Sequence, residues 1–209
     1  MNPLVNAGAI ASTSLVPGDT ADEKWEGIRD GLSRFAGRDL TMSEEVYESE
    51  SATNLRNQGI AHLLESYGRL YFDPDEATDV YTRQCSLEVT VHDLAVMGAT
   101  LADGGVNPIT GQRVIEEEHC QRVLAVLSTA GLYERSGDWL YDVGLPGKSG
   151  VSGGIVTVAP GKGGLGTYSP PLDEAGNSVR GQLLTTDVSE ALGLNIFASQ
   201  PAPPERDTR

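Results

Sequence analysis

The chain has 209 residues and a formal net charge of −15 at neutral pH. That balance excludes a phosphate backbone or an anionic membrane surface as partner, because either needs clustered Lys and Arg. No apolar run is long enough to cross a bilayer, and no basic stretch leads into an apolar one at the N-terminus. No signal peptide is therefore visible, and a cytoplasmic location is expected.

In chain order the helices come first. Asn2-Pro3-Leu4-Val5-Asn6 leads into a small, apolar segment, where the bland reading of the asparagines is an Asx-turn at a helix start. Thr20 followed by Glu23 forms a capping box, and Trp25, Ile28, Leu32 and Phe35 recur at helical spacing until Gly37 stops the run. Glu50 and Asn57 are two helical turns apart, so on one continuous helix they would share a face. Asp73-Pro74 caps a short helix reaching Tyr81, and Thr90 with Asp93 caps another that carries Leu94, Met97 and Leu101 to Gly104-Gly105. A further helix is expected to bury Cys120, Val123, Leu124 and Leu127.

From Trp139 the texture changes. Trp139 to Val143, Gly154 to Ala159 and Leu165 to Tyr168 are short β-type runs separated by Gly and Pro, predicting a small antiparallel meander. A last helix follows Ser178, and the Pro-rich, charged tail is expected to be disordered. The resulting organisation is one α+β domain over 1–197 and a tail over 198–209. Cys85 and Cys120 lack any CxxC or Cys/His spacing and are expected to be buried free thiols; His62, His92 and His119 show no metal spacing.

Two motifs bear on chemistry. Gly161-x-Gly163-x-x-Gly166 fits a dinucleotide fingerprint by letter, but it leads into Thr167-Tyr168-Ser169-Pro170-Pro171 instead of a helix. Without a helix N-terminus to hold a pyrophosphate, it is expected to be a hairpin turn. Lys148-Ser149-Gly150 is one signature of serine acyl-transfer enzymes, which also need a Ser-x-x-Lys pair. The lysines here are Lys24, Lys148 and Lys162, and three positions before them stand Ala21, Leu145 and Ala159, so that pair is absent.

Residues 2–10, Gln84-Cys85-Ser86, Asp93-Leu94-Ala95, Ala99 to Pro108, Lys148 to Val151, Ser169 to Asp173 and Gly176 to Gly181 resemble, in order, blocks of the serine-dependent glutaminase family. The resemblance covers roughly residues 1–197. It implies the β-lactamase/transpeptidase-like fold, here a helical cluster plus a small antiparallel sheet, and hydrolysis of L-glutamine to L-glutamate and ammonia. It implies no metal or organic cofactor. The partner would be L-glutamine, with no nucleic acid and no membrane, and the assembly a homo-oligomer, dimer or tetramer.

Carried over by resemblance, Asn6, Glu50, Asn57, Tyr81, Tyr133 and Val151 match the positions lining the family's glutamine pocket. A carboxylate such as Glu50 suits the α-ammonium, while Asn6, Asn57 and Tyr81 can donate to the α-carboxylate or side-chain carbonyl. Tyr133 is the candidate catalytic group, able to shuttle a proton if lysine charge lowers its pKa. The Val151 N–H would serve an oxyanion hole, and Lys148 would give structural or electrostatic support. In the family the nucleophilic serine, its Ser-x-x-Lys lysine and edge strands lie on a stretch preceding the segment that begins at Asn2. The chain is therefore expected to lack the N-terminal strands and nucleophile helix, to be inactive as it stands, and to expose apolar faces. Two alternatives remain: a nucleophile-free remnant binding glutamine, glutamate or a partner subunit, and a serine peptidase or β-lactamase relative suggested by Lys148-Ser149-Gly150 alone.

Overall fold

The computed structural model describes residues 2–199. The expected tail beyond Ser199 lies outside the described residues. Helices α1 (Asn6–Ser14), α2 (Ala21–Ala36), α3 (Glu44–Thr53), α4 (Leu55–Ser66) and α5 (Pro74–Cys85) build a helical cluster. Helices α6 (Val91–Ala102), α7 (Glu117–Ala130), α8 (Ser136–Asp142) and α9 (Val179–Leu192) accompany strands β1 (Gly147–Ser149), β2 (Gly154–Ala159) and β3 (Gly163–Tyr168). None of these helices is long and apolar enough to cross a membrane.

The local signals hold where one side chain meets a nearby orphan N–H. The Asx-turn forms, with Leu4 N–H donating to Asn2 Oδ1 at 2.9 Å. Thr20 and Glu23 make the reciprocal box on α2, and Gly37 ends that helix at φ 73°. Thr90 and Asp93 make the same box on α6, Asp73 caps α5, and the Ser178 hydroxyl caps α9 through Gly181 N–H. Each satisfies groups that a helix end leaves unpaired.

Four expectations need correction. Glu50 and Asn57 do not share a continuous helix: the chain breaks at Asn54, whose Oδ1 accepts from Gln58 Nε2 at 2.9 Å while its Nδ2 donates to Thr82 Oγ1 at 3.4 Å. An amide that bonds locally competes with the helix ladder. Trp139 to Val143 is helical, not extended, within and just after α8. Trp139 is buried, its indole N–H donating to Leu145 O at 2.7 Å, so this short aromatic run is anchored by packing that periodicity does not record. The third strand is instead Gly147–Ser149. Cys120 is buried as expected, but Cys85 is exposed at the end of α5, and Val123 on α7 is also exposed. Finally, α5 runs one turn beyond Tyr81, to Cys85.

The sheet has the order β1-β2-β3, antiparallel throughout, with Gly147 opposite Thr157 and Ile155 opposite Thr167. The glycine motif does form the β2–β3 hairpin, with Gly161 at φ 70° in the turn. Its strand glycines have a second use. A Cβ on Gly164 would lie 2.3 Å from Ala95 O, and one on Gly166 would lie 2.2 Å from Val91 O, so α6 rests directly on the β3 backbone. The opposite face packs Ile155 and Ala159 into a buried cluster with Leu132, Trp139, Val143 and Leu145. A second cluster, Ile10, Ala11, Ala61 and Leu64, joins α1 to α4. Lys24, buried on α2, donates to the carbonyls of Ser14 and Val16 and so ties down the end of α1.

Candidate functional site

An open cleft of about 880 Å³ lies where the start of α1, α4, the end of α5 and the β1–β2 turn converge. Asn6, Tyr81, Tyr133, Lys148 and Val151 line it, brought from positions spread along the chain. Asn6 Nδ2 donates to Asn57 Oδ1 at 2.9 Å across 51 residues, so Asn57 stands directly behind the lining. Glu50 is exposed and does not itself line the cleft. Its charge still reaches inward, contributing to the raised pKa of both Tyr81 and Cys85.

Both phenols are held protonated. Burial drives the Tyr81 phenol well above its ordinary value, with the Cys85 thiol beside it adding to the rise. Burial likewise raises Tyr133. Lys148 does not meet the condition set for proton shuttling, a phenol lowered by lysine. The Lys148 ammonium sits 5.0 Å from the centre of the Tyr133 ring and donates to the Ser149 carbonyl, so it addresses the ring face, and the cost of desolvating a phenolate prevails. The same desolvation lowers the Lys148 pKa. The cleft therefore presents neutral hydroxyl donors beside a cation that is costly to keep charged.

Backbone geometry completes the site. Gly150 N–H bonds Gly154 O and Gly153 N–H bonds Gly150 O, both at 2.9 Å, folding the β1–β2 turn so that Val151 is exposed. The Val151 N–H makes no hydrogen bond to another described residue, which suits a donor awaiting a ligand. Tyr133 is the one non-glycine residue at positive φ among those described, at 53°. A side chain in that region is strained, and such strain persists where surroundings over-determine it.

The further lining residues that the sequence did not single out for binding include Arg56, Gln84 and Cys85. Arg56 adjoins Asn57, and Gln84 and Cys85 follow Tyr81 by three and four positions on α5, one helical turn away. Extending α5 past Tyr81 would have found the latter two. Among the described residues, no group of three or more His, Cys, Asp or Glu is arranged to hold a metal ion.

Comparison with known proteins matches the glutaminase family model over residues 1–197. The chain is 66% identical over 200 residues to glutaminase 2 of Yersinia pestis, spanning 96% of this chain and 59% of that relative. A solved probable glutaminase, ybaS, superposes with a TM-score of 0.93 at 52% identity, over 95% of this chain and 64% of that one. The Bacillus subtilis glutaminase YbgJ, solved as a covalent complex with 5-oxo-L-norleucine, superposes with a TM-score of 0.89 at 36% identity, over 92% of this chain and 69% of that one. The α+β architecture with its small antiparallel sheet is thus shared with solved glutaminases, and the chain spans about three fifths of the length of the Yersinia relative. With a family match over nearly all its residues, this chain belongs to the glutaminase family.

Proposed function

We propose that this chain supplies the glutamine-binding side of a glutaminase, an enzyme hydrolysing L-glutamine to L-glutamate and ammonia through a serine acyl-enzyme. The observation that carries the reading is the convergence on one cleft of Asn6, hydrogen-bonded to Asn57, with Tyr81, Tyr133 and a Val151 N–H that is unpaired among the described residues. The amides and the Tyr81 hydroxyl are donors for the substrate's α-carboxylate or side-chain carbonyl, and Glu50, whose charge is felt at Tyr81 and Cys85, provides the anion that the α-ammonium needs. The Val151 N–H would donate to the oxygen that becomes negative when the amide carbon is attacked.

Tyr133, held protonated by burial, is suited to give a proton to the departing nitrogen and regain it from the attacking water. Lys148 then acts as electrostatic support near the ring face. The serine and its lysine are not supplied here, since none of Lys24, Lys148 and Lys162 follows a serine by three positions. The YbgJ complex, formed by reaction with 6-diazo-5-oxo-L-norleucine, supports covalent chemistry on this fold.

A second reading, resting on the same cleft, is a chain that binds glutamine, glutamate or a partner subunit without turnover. Ammonia release from L-glutamine by the protein isolated from its own cells tests the first. Binding of L-glutamate without any ammonia release leaves the second, and loss of both sinks the assignment. A homo-oligomer, dimer or tetramer, in the cytoplasm belongs to the same reading. It is supported by the exposed Leu183, Leu184 and Leu192 on α9, and light scattering of the purified protein measures it.

A further inference from the structure

Asn177 lies outside the cleft, fully buried in the turn between β3 and α9. Its backbone is pinned by Asp173, whose Oδ1 accepts Asn177 N–H at 2.9 Å while Asp173 N–H donates to Asn177 O at 2.8 Å. Its side-chain amide faces two ways. Oδ1 accepts the Ser149 hydroxyl at 2.5 Å, and Nδ2 donates to Leu132 O at 3.4 Å. The carbonyl of Leu132 can only accept, which fixes the amide orientation.

Each end of that bridge adjoins a group of the cleft. Ser149 is the last residue of β1, two before Val151. Leu132 immediately precedes Tyr133, the strained residue at φ 53°. The Tyr133 turn is held from its other side by Ser136, whose Oγ accepts Leu132 N–H at 3.0 Å and donates to Tyr133 O at 2.7 Å. The same segment lies flush on β1: Ser149 N–H bonds Gly131 O at 3.2 Å, and a Cβ on Gly131 would meet Gly147 O at 1.7 Å.

We propose that Asn177 is a positioning residue which, through Ser149 and Leu132, fixes the Val151 N–H and the Tyr133 hydroxyl relative to one another. What those two groups do rests on the glutaminase reading; where they are held does not. A buried amide with both halves engaged is stiff, because any rotation leaves a polar group unpaired away from water. One side chain therefore sets the spacing between the oxyanion donor and the proton-transfer group, two functions that must meet opposite ends of the same breaking bond.

The test reads each arm separately in the chain labelled with 15N and 3-fluorotyrosine, with the Tyr133 resonance identified by Tyr133→Phe. Asn177→Ala is expected to shift both the Val151 amide and the Tyr133 fluorine signals. Ser149→Ala is expected to shift Val151 while leaving Tyr133 in place, with recovery in Ser149→Thr, and Ser136→Ala to shift Tyr133 alone. An Asn177→Ala protein with native circular dichroism and both signals unmoved overturns the proposal, as does a Ser149→Ala protein in which Tyr133 moves as far as Val151. Should Asn177→Ala not fold, the two serine variants decide it. Addition of L-glutamate to the unmutated chain is read independently: no response at Val151 or Tyr133 overturns the functional reading while the positioning result stands.

Discussion

Replacing Gly164 with alanine tests whether the glycine motif is a packing device. The new Cβ would lie 2.3 Å from both Ala95 O and Ala99 N and 2.6 Å from Gly98 C. Non-bonded contacts of this kind relax to about 3.5 Å, so α6 must withdraw by roughly 1 Å. Overpacking of a core usually costs about 1–3 kcal/mol. Here the obstacle is helix backbone, which has no rotamer to escape into, so the upper end, about 3 kcal/mol, is expected. With a urea slope of about 1–3 kcal/mol per molar, the unfolding midpoint falls by at least ~1 M.

The neighbours provide the controls. A Cβ on Gly163 meets nothing within 4 Å, so Gly163→Ala is expected to be neutral or to stabilise by about 0.4–1 kcal/mol through the unfolded chain. Gly161 has open space but sits at φ 70°, and its alanine variant is expected to lose about 1 kcal/mol to backbone strain alone. Urea titrations followed by far-ultraviolet circular dichroism rank the three. A Gly164→Ala protein with the parental midpoint, or a Gly163→Ala protein as unstable as Gly164→Ala, would refute the packing argument.

Asp93 is buried and takes Arg38 Nε at 2.8 Å and Nη2 at 2.7 Å, which with the Thr90 bonds holds its carboxyl well below the usual range. A lowered folded-state pKa means stability is fully present above the unfolded value of about 3.9 and is lost as pH falls toward the folded one. Asp93→Asn is expected to cost about 2 kcal/mol at pH 7, less than a fully buried pair because Arg38 is 44% exposed, and to flatten stability between about pH 4 and pH 2 in urea titrations. For Lys148, desolvation lowers the folded pKa, so the unfolded chain binds more protons in the window below about 10.4 and stability rises with pH there. Lys148→Met is expected to remove that rise and to be no less stable than the parent at pH 7. Glu50→Gln is expected to weaken L-glutamate binding about tenfold, about 1.4 kcal/mol, by calorimetry. An analogue lacking the α-amino group should bind both proteins alike, and an equal loss for that analogue would deny Glu50 its partner.

Short-range chemistry made much of the architecture legible. The capping pairs Thr20/Glu23 and Thr90/Asp93, the Asx-turn at Asn2 and the β2–β3 hairpin are written within a few residues, where one side chain satisfies one orphan backbone group. Motif blocks likewise identified the family, and with it Asn6, Tyr81, Tyr133, Lys148 and Val151 of the cleft. The breaks came where distant packing outweighs local preference: Trp139, whose aromatic run resembles a strand, is fixed in α8 by Leu145, and Asn54 splits a helix by reaching Thr82.

The sequence by itself determined the helix caps, the hairpin, the acidic balance, the family and the absence of a Ser-x-x-Lys pair. Only the tertiary structure decided that Asn6 bonds Asn57, that Glu50 is exposed and does not line the cleft, that burial raises the Tyr133 phenol, and that Asn177 joins Ser149 to Leu132. The reason is physical: capping is a contact between neighbours along the chain, whereas the Asn6–Asn57 bond and the Asn177 bridge join groups 28 to 51 residues apart, and these, like desolvation, come about only after the chain has packed.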